Sequence, residues 1–299
     1  MGNVASYPGL FVVGAQKSGT TTLYALLRQH PDLFLADRKE SHFFNHDGAL
    51  PDNLSGAKVW PIQTHAAYLD LFAQAGGRLC AEICPTYLVS EQAAMRIKAV
   101  RPDAKIVILL RDPVQRSFSA YRHMQASGAE TAPDFSTALD RPERQPDWEW
   151  QSMGQYIAAS TYAPQVARYL DTFGPDQVRV ITFEALKRDP IAVANEVLDF
   201  AGLSPLAENI SLGQTNKTQV INNKFASDLL INRRFGVKTL RKLLPRTLRG
   251  RIKERIVALM AQPPEKITAQ TQAHLTAQFA PDRQELERLT GQSFADWGR

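Results

Sequence analysis

Three apolar runs stand out from an otherwise mixed chain: Leu10–Val13, Lys105–Leu110 (KIVILL) and Val178–Phe183 (VRVITF). They are short, rich in β-branched residues and free of strict apolar–polar alternation, as expected of strands buried on both faces. Arg78–Ile83 predicts a further short strand, broken by Pro85. Helical spacing fills the intervals. Leu23, Leu26 and Leu27 share a face after Thr20-Thr21-Thr22, and Ala67, Leu71 and Phe72 share one in Thr64–Ala75. Helices are also predicted over Gln92–Val100, from Pro113 to about Ala126, and over Phe135–Leu139, Tyr156–Phe173, Ile191–Ala201 and Gln270–Thr290. Pro31–Glu40 reads as a polar loop. Thr131–Met153, rich in proline, acid and tryptophan, reads as a long surface loop of the kind that forms lids or substrate walls. Strands alternating with helices predict an α/β fold, a central parallel sheet flanked by helices, with ligands at the carboxyl ends of the strands. The chain reads as one domain over residues 1–299, its core at about 9–203.

The stretch FVVGAQKSGTTTLYALLRQH, Phe11 to His30, carries the first candidate chemistry. A buried strand runs into a glycine turn, Gly14–Gly19, and then into a helix that opens on three threonines. Free N–H groups and the positive end of the helix dipole converge at such a junction, and the Lys17 ammonium adds charge. The ligand expected there is a phosphate or a sulfate. The order differs from the nucleotide-triphosphate pattern GxxxxGK[ST], because Lys17 precedes Gly19. A triphosphate loop and a plain connecting turn stay open at this point.

The second informative stretch is LLRDPVQRSFSAYRH, Leu109 to His123. Arg111 sits at a strand end, and Ser119 lies about two helical turns beyond it. Together they can hold one phosphate, the guanidinium by two bonds and the hydroxyl by one. Two other readings exist. In a kinase Asp112 would be a magnesium ligand; otherwise Arg111 and Asp112 form a surface pair before a proline-started helix.

Lys-Ser-Gly-Thr-Thr and the Arg111/Ser119 pair together resemble the sulfotransferases that use 3′-phosphoadenosine 5′-phosphosulfate (PAPS), nearest to the heparan sulfate branch and its bacterial relatives. KESHFF (Lys39–Phe44), AEICPTYL (Ala81–Leu88), FEAL (Phe183–Leu186) and LTGQSFADW (Leu289–Trp297) extend the likeness over about residues 9–203 and 270–297. The resemblance implies a P-loop-like sulfotransferase fold and PAPS as cosubstrate, with no metal. It implies that Lys17 stabilises the leaving phosphate and that Ser18, Gly19, Thr20, Thr21 and Thr22 surround the 5′-phosphosulfate. Arg111 and Ser119 would hold the 3′-phosphate, with Lys217 in a further cosubstrate loop. Glu40 would be the general base and His42 its neighbour; a Lys39 or Arg38 partner for Glu40 and a structural role for His42 are the plainer readings. Ile83 and Cys84 stand where relatives often carry a lysine before the proline, and Asn45 replaces an acid, which puts a heparan-like acceptor in doubt. The implied reaction moves a sulfuryl group to a hydroxyl, with an amine as second choice, of a carbohydrate, lipid or small alcohol. A P-loop kinase or NTPase is the alternative enzyme, and a basic nucleic-acid- or membrane-binding module the alternative without catalysis; no nucleic-acid partner is expected.

Charge changes this picture in one place. The net charge is +5, yet residues 233–255 hold ten Lys/Arg and one acid, so that segment is +9 and the remainder −4. Leu248, Ile252, Ile256 and Leu259 give part of it an amphipathic helical pattern. It would cover the cosubstrate or meet a polyanionic acceptor, lie on an anionic membrane, or be a solvated face. No apolar run reaches the ~18 residues of a bilayer span. No signal peptide is read, Gly2 and Ser6 fit only a weak myristoylation pattern, and Cys80 and Cys84 are expected as reduced thiols. The expected location is cytoplasmic. Oligomeric state is left open.

Overall fold

The strands β1 (Leu10–Gly14), β2 (Leu33–Leu35), β3 (Leu79–Ile83), β4 (Lys105–Leu110) and β5 (Val178–Thr182) form one sheet in the order β2-β3-β1-β4-β5, with every pairing parallel. This is a computed structural model, and it describes residues 7–46, 62–142, 149–208, 210 and 266–298. Gly2, Ser6, Lys217, the basic segment 233–255 and the residues expected to form its amphipathic helix lie outside them.

The continuous apolar runs of β1 and β4 follow from burial on both faces. Phe11, Val13, Ile106, Ile108 and Leu110 face a core shared with α3 (Ala93–Val100), α6 (Ala163–Phe173) and α9 (Ala269–Thr290). Leu10, Val12, Val107 and Leu109 face the opposite core, built with α1 (Thr20–Leu27) and α8 (Pro190–Phe200). The remaining described α-helices are α2 (His65–Asp70), α4 (Pro113–Ser127), α5 (Phe135–Leu139) and α7 (Phe183–Arg188). Among the described residues no helix is long and apolar enough to cross a membrane.

Four local expectations are corrected. Pro31–Glu40 is not all loop: Leu33–Leu35 pairs with β3 through Leu33↔Leu79 and Leu35↔Ala81. A strand of three residues has no periodicity to read, and only its neighbour creates it. The helix expected over Thr64–Ala75 stops at Asp70. That over Tyr156–Phe173 splits into a 3-10 turn at Ala158–Ser160 and α6, whose first turn carries Pro164. The run VRVITF ends as strand at Thr182, whose side chain accepts a bond from Ala185 N–H and starts α7.

The chain leaves central β1 for β2 and β3 on one side, then crosses to β4 on the other. The carboxyl ends of β1 and β4 therefore flank a topological switch point, where open parallel sheets bind ligands.

Candidate active site

Glycine is required twice in the turn after β1. A Cβ on Gly14 would lie 2.3 Å from Leu88 Cβ. Gly19 has φ 87°, and a Cβ there would lie 2.6 Å from Leu186 Cδ2 and 2.9 Å from Phe183 Cδ2. Ala15 N–H donates to Leu109 O at 2.6 Å, tying the turn to β4. Gly19 is the N-cap of α1 and brings no side-chain acceptor; Thr22 N–H donates to Gly19 O at 2.9 Å, while the N–H groups of Thr20 and Thr21 keep their donors for something else. The Ser18 hydroxyl is buried and has no hydrogen-bond partner among the described residues. A buried hydroxyl without a partner costs on the order of 1–3 kcal/mol. This unmet donor, with the open helix end, fits a bound phosphosulfate.

Cations crowd the same place. Lys17 is half-buried at φ 70°. Burial lowers its pKa, and Arg111, Arg116 and Lys39 add to the lowering while Glu40 opposes it. Arg111 lies over the Phe183 ring at 4.7 Å and donates one N–H to Lys17 O at 3.3 Å. Burial lowers its pKa too. Arg116 is 1% exposed and donates from Nε to Gln16 O at 3.2 Å and from Nη1 to Ser160 Oγ at 3.2 Å. It supports the turn from below, a role its polar position in α4 gave no means of reading. Ser119 is half-buried on α4 two turns beyond Arg111, and Thr21 Oγ1 accepts from Lys39 Nζ at 3.1 Å.

Glu40 and His42 flank a residue with a different set of partners. Their φ values, 63° and 56°, and that of Lys17 are the positive φ values of non-glycine residues among those described. Such backbone costs about 1–3 kcal/mol per residue and collects at functional sites. Between them Ser41 is buried and donates to Glu82 Oε1. Tyr87 OH donates to the same oxygen at 3.0 Å, and Tyr68 OH to Oε2 at 2.5 Å. Burial raises the Glu82 pKa against the pull of these hydroxyls. Glu82→Ala strips three buried donors of their acceptor. It is expected to destabilise the chain by roughly 3 kcal/mol or more, read as a drop in Tm of about 5–10 °C.

His42 is buried, and burial lowers its pKa, so the ring is neutral near pH 7. Thr86 Oγ1 donates to Asn45 Oδ1 at 2.8 Å, so its 2.9 Å bond with His42 Nδ1 is one in which it accepts. That places the ring proton on Nδ1. Glu40 forms the ion pair of its plainer reading with Lys39, Nζ to Oε1 at 3.0 Å. Its charge acts on Lys17, on His42 and on His123. His123, one turn past Ser119 on α4, was not singled out from sequence. Burial lowers its pKa, and the Lys17 charge lowers it further while that of Glu40 opposes. The i+4 spacing from Ser119 was the available signal. Ile83 and Cys84 are buried, and Asn45 is taken up by Thr86.

The magnesium role for Asp112 meets a different structure. Its Oδ1 caps α4 by accepting from Val114 N–H at 2.8 Å and Gln115 N–H at 3.2 Å, and its Oδ2 accepts from Gly298 N–H at 2.8 Å. Both oxygens are occupied by main chain, and the residue is buried.

The comparisons with known proteins agree with this geometry. The profile described as "Sulfotransferase family" matches residues 8–208. The chain is 30% identical over 201 residues to human heparan sulfate glucosamine 3-O-sulfotransferase 3B1, covering 66% of this chain and 46% of that protein. It is 29% identical over 205 residues to human bifunctional heparan sulfate N-deacetylase/N-sulfotransferase 3, covering 66% and 22%. The chain thus spans less than half the length of these relatives. The crystal structure of a sulfotransferase from Alicyclobacillus acidocaldarius superposes with a TM-score of 0.71 at 30% identity, covering 98% of this chain and 100% of that one. The α/β fold with its parallel sheet, the glycine turn with its unpartnered Ser18 hydroxyl at the switch point and the family profile over residues 8–208 lead to one assignment: the chain belongs to the sulfotransferase family.

Proposed function

We propose that this enzyme transfers a sulfuryl group from PAPS to a hydroxyl of a glycan. The observation that carries the reading is the meeting, at the β1/β4 switch point, of a cation-lined turn with unmet donors and the strained Glu40–His42 segment. Lys17, the Ser18 hydroxyl, the N–H groups of Gly19, Thr20 and Thr21 and the Thr22 hydroxyl would hold the 5′-phosphosulfate, and Arg111 and Ser119 the 3′-phosphate. In-line transfer makes a bond from sulfur to the acceptor oxygen as the bond from sulfur to the phosphate oxygen breaks. Lys17 neutralises the charge that appears on the departing oxygen. Glu40 takes the acceptor proton, and the neutral His42 orients the hydroxyl. The heparan sulfate relatives support a glycan acceptor. Buried Ile83 and Cys84, without the lysine those relatives often carry, support one less anionic than theirs.

Calorimetric titration with adenosine 3′,5′-bisphosphate, with chelator present, tests the cosubstrate. Micromolar or tighter binding is expected, with a loss of about tenfold or more in both Lys17→Ala and Arg111→Ala. No binding by the folded wild type, with ATP–magnesium bound instead, would overturn the reading.

A further inference from the structure

The segment Gly291–Gly298, part of the LTGQSFADW stretch, has no place in the reaction described above. We propose that it keeps the Arg111 guanidinium available to a phosphate by holding two neighbouring carboxylates away from it. This rests on the reading of Arg111 as the ligand of the 3′-phosphate.

Arg111 stands beside Asp112 and Glu184, and the charges of both act on it. Arg111 nevertheless forms no ion pair among the described residues. A guanidinium next to two acids ordinarily closes on one of them, since the fork of N–H donors matches a carboxylate as well as a phosphate. Here each acid has other partners. Glu184 Oε1 accepts from Asp112 N–H at 3.3 Å, and its Oε2 accepts from the Trp297 indole N–H at 3.2 Å. Asp112 Oδ2 accepts from Gly298 N–H at 2.8 Å, while Oδ1 caps α4. The final tryptophan and glycine thus each engage one acid. Trp297 is itself fixed: it is 5% exposed, its ring lies 4.4 Å from that of Phe294 and 6.0 Å from that of Tyr162, and its carbonyl accepts from Arg283 Nη1 at 3.4 Å. Arg111 instead stacks on Phe183 and spends one N–H on Lys17 O, so most of its five donors stay open.

The charge of the bound 3′-phosphate supplies the test. Trp297→Phe keeps an aromatic ring at this position and removes the N–H that holds Glu184 together with part of the indole's buried volume, so the comparison of nucleotides and the rescue by Glu184→Gln, not the single variant alone, carry the test. The variant is expected to raise the Kd for adenosine 3′,5′-bisphosphate about tenfold and to leave that for adenosine 5′-phosphate, which lacks the 3′ group, within about twofold. Glu184→Gln in the Trp297→Phe background is expected to restore bisphosphate binding to within about threefold of wild type, because the competing charge is gone. Glu184→Gln alone is expected to bind the bisphosphate at least as well as wild type. Unchanged binding in Trp297→Phe, equal loss for both nucleotides, or no rescue by Glu184→Gln would overturn the proposal while leaving the cosubstrate reading intact. Wild-type protein that binds neither nucleotide would overturn both.

Discussion

Lys17→Ala is expected to lower kcat about a thousandfold. Removing one donor aimed at a developing oxyanion costs a factor of about 10²–10³, and a full positive charge in a half-buried site belongs at or above the top of that range. Lys17→Gly should be as inactive but more stable than Lys17→Ala by about 1 kcal/mol, because glycine accepts φ 70° without strain. The wild-type backbone holds lysine where glycine fits better, as expected where stability is exchanged for function. The pH profile gives a second check. The ammonium must stay protonated to act, and burial with Arg111 and Arg116 lowers its pKa from the usual 10.5. The alkaline limb of kcat/KM is therefore expected below pH 10.5. Steady-state kinetics of the two variants, their thermal melts and the pH profile of the wild type measure the three quantities. An alanine variant that kept a tenth of wild-type kcat would remove Lys17 from the transition state.

Glu40→Gln is expected to lower kcat by about 10²–10⁴ through loss of the general base, with bisphosphate affinity changed less than about twofold. His42→Gln is expected to lower kcat less, since a neutral ring held by Thr86 can orient the acceptor but is replaced in part by an amide. The sign of the histidine shift makes a further check. Burial lowers the His42 pKa from 6.5, so the ring stays neutral as pH falls through 6.5 and no loss of activity is expected there. If His42→Gln abolished turnover while Glu40→Gln kept it, the base would be the histidine, and the strained φ of Glu40 would serve only to turn the chain.

The parts of the site that were legible are those fixed by local chemistry. Lys17 and the glycines lie on one continuous strand–turn–helix, where the task proposed for each residue follows from its neighbours in the chain. Arg111 and Ser119 could be paired because a strand end and a helix set their spacing. Residues that act across the fold were not legible. Arg116 looks like any polar residue of a helix until the turn of Gln16 is packed against it. Glu82 looks like a solvated acid in a short strand, and only burial against Ser41, Tyr68 and Tyr87 shows that it supports Glu40 and His42. Asp112 offered a metal ligand by type, and the fold used it as a cap and a tie to Gly298.

By itself the sequence determined the class of fold and the family, because strands buried on both faces and a glycine turn before a helix leave continuous, local patterns. The tertiary structure alone decided the strand order, the three-residue β2, the start of α7 and the company kept by each charge. Those depend on contacts between residues far apart in the chain. Whether a carboxylate is a ligand, a cap or a buried support is set by the donors and the water around it, and these exist only once the chain has folded.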